Sequence, residues 1–227
     1  MGPSRELARA PGTSARSSAF SVTSVLLLLP VLLVACKIAT IRPIESKEDG
    51  LGAQAFDAAA HVGSLWVEDV PAALEQAVDV RDFLPALAAD PAGAGARWGR
   101  REGSGPFHVI VKGSGRVLDV DASSRSGVAT IEIEVPGGAD QVRLQIGPVL
   151  RGTSIRDALP TVSFDQFVNQ IQHADVANEL NARVERETLA ALERETLRGK
   201  GIRFVGATTL GEERPLAVTP VRLEVEP

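Results

Sequence analysis

The 227-residue chain has one cysteine, no tyrosine, two tryptophans and one methionine. A lone cysteine excludes an internal disulfide, so stability must come from an ordinary packed core. The shortage of Tyr and Trp counts against an aromatic-lined sugar cleft, since such side chains are the usual anchors of recognition surfaces. Basic residues are not in excess: 24 Lys and Arg stand against 29 Asp and Glu. That balance argues against nucleic acid, which demands a clustered positive face. The longest apolar run, Val25 to Ala35, is interrupted by Pro30, and it is about half the ~20 residues a spanning helix needs. No GxSxG, HExxH or P-loop is present, and the glycines of Gly93-Ala94-Gly95 and Gly113-Ser114-Gly115 miss the dinucleotide-binding spacing.

What is present begins with that apolar run. It follows a leader carrying Arg5, Arg9 and Arg16 against Glu6, and it ends Leu33-Val34-Ala35-Cys36. The order of positive region, short apolar region and small residue is that of an export signal. The closing tetrad resembles the lipobox of bacterial lipoproteins, which implies cleavage before Cys36 and a diacylglyceryl group on its sulfur. Two or more acyl chains anchor stably where one is marginal. The competing role for Cys36 is a free or intermolecularly paired thiol. Lys37 stands where an aspartate would signal inner-membrane retention in a Gram-negative host.

Removing residues 1–35 leaves 192, enough for one domain or two small ones. Residues 36–52 read as a lipidated tether with a short extended piece around Pro43. Residues 53–101 read as a helical subdomain. Phe56, Ala60, Gly63 and Val67 form an apolar face that Ala59 and Trp66 widen. Pro71 is expected to open a second helix, and Pro85 and Pro91 to break it. The five glycines between Ala92 and Pro106 predict a loop. From 102 to 227 the period changes to two. Runs at Phe107–Lys112, Val117–Asp121, Val128–Val135 and Val142–Ile146 are separated by Gly-Ser or Pro-Gly turns, an antiparallel meander. Ser163 and Gln166 form a capping box opening a helix with Phe164, Phe167, Val168 and Ile171 on its buried side. A second helix is expected from Val176 to Arg198 with Leu180, Val184, Ala191 and Leu192 inward, and two strands close the chain. The fold class is α+β: a small OB-like antiparallel β-barrel with a helical excursion near 163–198, plus the N-terminal helices.

The run Leu144-Gln145-Ile146-Gly147-Pro148-Val149-Leu150-Arg151-Gly152-Thr153-Ser154-Ile155-Arg156-Asp157-Ala158-Leu159-Pro160 carries a family resemblance. So do Phe164-Asp165-Gln166-Phe167, Asn169-Gln170-Ile171, Phe56 to Ala60 and Ser64-Leu65-Trp66. These segments resemble an uncharacterised family of predicted bacterial periplasmic lipoproteins. The resemblance implies a helical part joined to an OB-like part, residence in the cell envelope and association with sugar ABC-transporter genes. It implies no catalytic residue.

Two polar groups are the candidate ligand-binding residues. Arg151, Gly152, Thr153, Arg156 and Asp157 bring guanidiniums, a hydroxyl and an open backbone position suited to a carboxylate, phosphate or sugar. Asn169, Gln170 and Asn178 offer amides nearby. The structural reading of the same residues is pairing and capping at a strand-to-helix junction. His173 and Asp175 are too few for a zinc site. His61 and His108 stand isolated. Asp119 and Asp121 flank Val120, a sparse cation site at best. Glu132 and Glu134 alternate with Ile131 and Ile133, a solvated sheet face. The expectation is therefore a membrane-anchored, non-enzymatic binding or accessory module for solute uptake, with no cofactor and no metal. Its partners would be membrane lipid through Cys36, sugar ABC-transporter components and a small-molecule ligand. The alternatives are an envelope hydrolase or lyase using Asp157 and His173, and a purely structural envelope protein.

Overall fold

The computed structural model describes residues 56–211 and 214–226. The expected leader, Cys36 and the 36–52 tether lie outside the described residues.

Helix α1 (Ala58–Glu75) opens on Asp57, whose carboxylate accepts from the Ala60 N–H at 3.0 Å. Its buried side is Val62, Leu65, Val70, Ala73 and Leu74, while Val67 is 72% exposed. The apolar face expected through Phe56, Gly63 and Val67 is thus rotated. Alanine and glycine fit any face, and the branched residues at 62, 65 and 70 decide it. Pro71 sits inside α1 rather than opening a new helix. One missing hydrogen bond is outweighed by burial of Val70 and Leu74 beside it.

The break falls at β1 (Val78–Asp79), followed by α2 (Val80–Ala89) and α3 (Pro91–Trp98). Asp79 and Asp90 cap the two helices, accepting from Arg81 N and Gly93 N. Pro85 lies inside α2, and Pro91 takes the first position of α3, where a missing N–H costs nothing. The glycine-rich stretch expected as a loop is therefore half helix. Its buried residues are only Ala94 and Gly95, so no apolar period announces it. A Cβ on Gly95 would lie 2.5 Å from the Phe107 ring.

Strand β2 (His108–Asp121) runs unbroken through Gly113-Ser114-Gly115, where a turn was expected. Its first half pairs with β5 (Gly201–Thr209), from His108 opposite Thr209 to Arg116 opposite Gly201. Its second half pairs with β3 (Val128–Val135), from Arg116 opposite Glu132 to Asp121 opposite Val128. The strand changes partner at the glycines because there is no room for side chains there. A Cβ on Gly115 would meet the Glu132 carbonyl oxygen at 2.0 Å, and one on Gly113 would meet Val80 at 2.4 Å.

A Pro136-Gly137 turn with Gly137 at φ +93° leads into β4 (Gly138–Gln145). Strand β6 (Leu216–Val225) lies parallel to β4 and antiparallel to β5. The order β1-β2-β3-β4-β6-β5, closed by β2 against β5, is a five-stranded barrel with β1 added at its rim.

Between β4 and β5 come α4 (Ser154–Ala158) and α5 (Gln170–Val184), which runs on into a π turn at Glu185–Leu189. The Ser163–Gln166 capping box is present but closes only a 3₁₀ turn. Helix α5 starts later, with Asn169 accepting from the Gln172 N–H. In consequence Phe164, Val168 and Ile171, expected to be buried, are 40%, 88% and 71% exposed, and only Phe167 is covered. The helix also stops well before Arg198, and Ala191 faces solvent.

Two apolar clusters result. One fills the barrel and continues into Val80, Phe83, Leu84, Leu87 and Ala94, so α2 and α3 share the core of the strands. The other joins α1, α4 and α5 to Ala207 and Val221 on the barrel's outside.

Candidate functional site

Helix α4 is too short to sustain itself and is held by the burial of Ile155 and Ala158 and by its polar side chains. Arg156 is buried and donates to Asp157 Oδ1 through Nε (2.7 Å) and Nη2 (2.6 Å), and through Nη1 to the His173 carbonyl (2.9 Å). Thr153 Oγ1 donates to Asp157 Oδ2 at 2.5 Å. Arg100, from the segment after α3, donates to the Asp157 and Val162 carbonyls at 2.9 and 2.8 Å. One arginine pair therefore fastens α4 to the N-terminal turns of α5 and to the barrel rim.

His108, the first residue of β2, approaches Asp157 Oδ2 at 3.7 Å through Nε2 and contacts Thr209 Oγ1 at 3.0 Å through Nδ1. Burial holds its imidazole below the usual pKa. Asp157 opposes that shift, while Arg156 and Arg100 add to it. At neutral pH the ring is uncharged, so the approach to Asp157 is not an ion pair. Burial and then Arg156 lower the His173 pKa as well. Its ring packs against Phe164 and Phe167, with centroids at 5.4 and 5.1 Å.

The candidate residues divide between two places. Thr153, Arg156 and Asp157 belong to the buried cluster. Arg151 and Gly152 lie outside it, on the surface. Gln145 clamps the Arg151 backbone, accepting from its N–H (2.7 Å) and donating to its carbonyl (3.1 Å). The Arg151 guanidinium itself has no partner among the described residues. Gly152 has φ +87° with open space where a Cβ would stand, so its conformation, not a close approach, calls for glycine. Asn181 donates to its carbonyl at 2.9 Å. Asn169 is the cap of α5, Gln170 is exposed, and Asn178 lines a shallow 250 Å³ groove with Leu150 and Asn181. Sequence reasoning missed Arg100, His108 and Gln145. Nothing local marks Arg100 or His108, since a strand end and a glycine-rich segment meet α4 only through the barrel's closure, whereas Gln145 acts locally, on a backbone six residues further on.

Two cavities adjoin the cluster. One of 200 Å³ is bounded by Arg100, Glu102, His108, Arg156, Asp157 and His173. The other, of 260 Å³, lies between α1 and the rim, beside Asp69, Gln76, Trp98 and Arg100. Both fall below the roughly 300–1,000 Å³ of ordinary small-molecule sites. A wider groove of 580 Å³ sets Arg81, Arg116 and Lys200 against Glu132, Glu134 and Glu226, a mixed-charge solvated surface without aromatics. Asp119 is engaged by Arg198 at 2.7 Å and Asp121 by Ser123, and among the described residues neither belongs to a group of three or more side chains that could hold a metal ion.

The closed five-stranded barrel, with its helical excursion between the third and fourth barrel strands, defines an OB-fold protein with an added helical layer. An OB-fold protein from Thermotoga maritima superposes on it with a TM-score of 0.61 at 20% identity, covering 75% of this chain and 99% of that one. An OBody bound to hen egg-white lysozyme aligns at a TM-score of 0.24, with 12% identity over 52% of this chain and 80% of that one, too low to bear on the fold. A comparison with curated proteins finds no match. The family model for predicted periplasmic lipoproteins (DUF2291) matches residues 26–224, and the chain belongs to that family. The protein is thus a lipid-anchored component of the bacterial envelope that faces the periplasm. Among the described residues no helix is long and apolar enough to cross a membrane.

Proposed function

We propose that this protein is a non-catalytic accessory module of solute uptake, most simply of sugar transport. It is anchored through lipidated Cys36, and it presents the Arg151–Gly152 surface to a component of an ABC transporter. The observation that carries this reading is how fully the polar cluster is engaged. Asp157 gives its carboxylate oxygens to Thr153 and Arg156, and Arg100 and Arg156 are both spent on backbone carbonyls. A carboxylate so bound is a poor general base, because a base must reach its proton through a free lone pair. That same engagement disfavours the hydrolase reading through Asp157 and His173. The small size of the two cavities beside the cluster favours a protein partner over a solute there, and Arg151 is an unengaged guanidinium beside a backbone that Gln145 holds still.

The anchor is tested by the mass of the N-terminal peptide from membrane-extracted protein. It should begin at Cys36 and carry diacylglyceryl and acyl groups, lost in Cys36→Ala. The recognition surface is tested by photocrosslinking from position 151 in intact membranes. Crosslinks to a transporter subunit that vanish in Arg151→Glu support the reading. Crosslinks only to lipid or to nothing contradict it. Thermal unfolding against sugars, sugar phosphates and divalent metals covers the small-molecule case. A true ligand at a hundred times its Kd would add about 2.7 kcal/mol, and the expected panel is flat.

A further inference from the structure

Among the described residues the exposed large apolar side chains are Val67, Phe164, Val168 and Ile171, and three of these four fall within one eight-residue stretch. Single exposed apolar residues are ordinary, but a cluster marks a surface that something covers. This one is rigidly displayed. The Ser163–Gln166 box fixes the 3₁₀ turn, Gln172 Oε1 accepts from the Val168 N–H at 3.1 Å, and Asn169 caps α5 behind it. Beneath the stretch lies a ring cluster. Phe167 packs at a tilt against His173 at 5.1 Å and meets Phe56 edge-on at 5.7 Å, and Phe164 meets His173 at 5.4 Å. A chain with only seven phenylalanines thus spends three of them here.

Where the chain enters the fold says what covers this surface. Phe56, the first described residue, packs on Phe167, so the described chain begins beside the apolar stretch. Nineteen residues, twenty Cα–Cα steps, separate Cys36 from Phe56. Fully extended they reach at most about 70 Å, so an anchor at Cys36 keeps the stretch close to the bilayer at high effective concentration. Charge sets the mode of contact. Between Arg156 and Arg183 there is no lysine or arginine, while Asp157, Asp165, Asp175 and Glu179 lie in that interval; the segment alongside puts Glu102 on the Phe164 N–H at 3.2 Å, and its neighbour Arg101 lies over the Phe107 ring. Attraction to anionic headgroups is therefore not the driving force, and apolar insertion is.

From this juxtaposition we infer that Phe164, Val168 and Ile171 form a membrane-insertion surface that seats the domain on the bilayer carrying its anchor. The inference rests on the proposed lipidation of Cys36. Lipidation supplies the first attachment, and the apolar stretch supplies a second, orienting one.

The test uses the full lipoprotein reconstituted in phosphatidylcholine vesicles. Cys36 is the only native cysteine and is blocked by lipid. Val168→Cys, Ile171→Cys and, on barrel strand β3, Glu134→Cys therefore each accept a single spin label. Labels at 168 and 171 should gain collisions with oxygen and lose collisions with a water-soluble nickel chelate on vesicle binding. The label at 134 should not change. The pattern should survive high salt and gain nothing from added phosphatidylglycerol. Flotation separates the two readings. Protein that fails to float with vesicles overturns the anchor, and this inference with it. Protein that floats while the labels at 168 and 171 stay as nickel-accessible as that at 134 overturns the insertion surface alone, leaving the anchor intact. Val168→Asp with Ile171→Asp should still float and refold, while a label at Phe164→Cys in that background should return to water.

Discussion

The two apolar clusters differ in a way that separates scaffold from surface. Inside the barrel, Ile131, Ile133, Leu144, Ile202 and Phe204 are all but completely buried, and α2 and α3 close the remaining opening. The cluster under α1, α4 and α5 is also well packed at Leu180, Val184 and Leu189. It differs at its margin, where it carries the Arg156–Asp157 pair, two depressed histidines and three exposed apolar side chains. Burial without polar content is what a barrel needs to be rigid. Retained charge and uncovered apolar groups cost stability, and they lie on the side where we place the membrane contact.

The sharpest way to break this contrast is within the barrel. Phe204→Ala should cost about 3–5 kcal/mol in denaturant unfolding by leaving a cavity in a closed core. Next comes the buried pair. Asp157→Ala leaves the Arg156 guanidinium buried beside an empty position and should cost about 3 kcal/mol. Melting of both clusters together would show that α4 is integral to the fold. Gly115→Ala forces a methyl against the Glu132 carbonyl, with an expected loss of about 1–3 kcal/mol.

The pH dependence is gentler. His108 and His173 are held below their ordinary pKa, so at mildly acidic pH the unfolded chain binds more protons than the folded one. Stability should be full above about pH 6.5, the unfolded histidine value, and should fall as pH drops below it. Thermal midpoints measured from pH 7.5 to 5 should decline, and His108→Gln should flatten part of that slope. Smallest is the effect of Val168→Asp with Ile171→Asp, each within about 0.5 kcal/mol, as expected for exposed positions. That near-silence in stability alongside lost membrane seating would sharpen the contrast most.

The barrel was legible where side chains alternate. Ala129, Ile131 and Ile133 point inward and Glu132 and Glu134 outward, as the period of two predicts. The helical excursion and the two closing strands were likewise readable from pattern and turns. Errors arose where glycine, alanine or proline carried the reading. Gly113 and Gly115 look like a turn in sequence but serve strand crowding in space. Pro71 and Pro85 look like breaks but are absorbed by packing. The capping box at Ser163 predicted a helix and delivered one turn, and this displaced Val168 and Ile171 to the surface. At the site, Thr153, Arg156 and Asp157 were found as a local group. Arg100 and His108 were not, because only the long-range closure of β2 on β5 brings them there.

Amide hydrogen exchange compares the two regions in a single experiment. The vesicle-bound lipoprotein would be measured against the chain from residue 37 onward, free in solution. The account predicts slowed exchange confined to residues 163–173, with β2 and β5 unchanged at the slow end of the range. Protection falling on the barrel strands, or no difference between the two states, would contradict it.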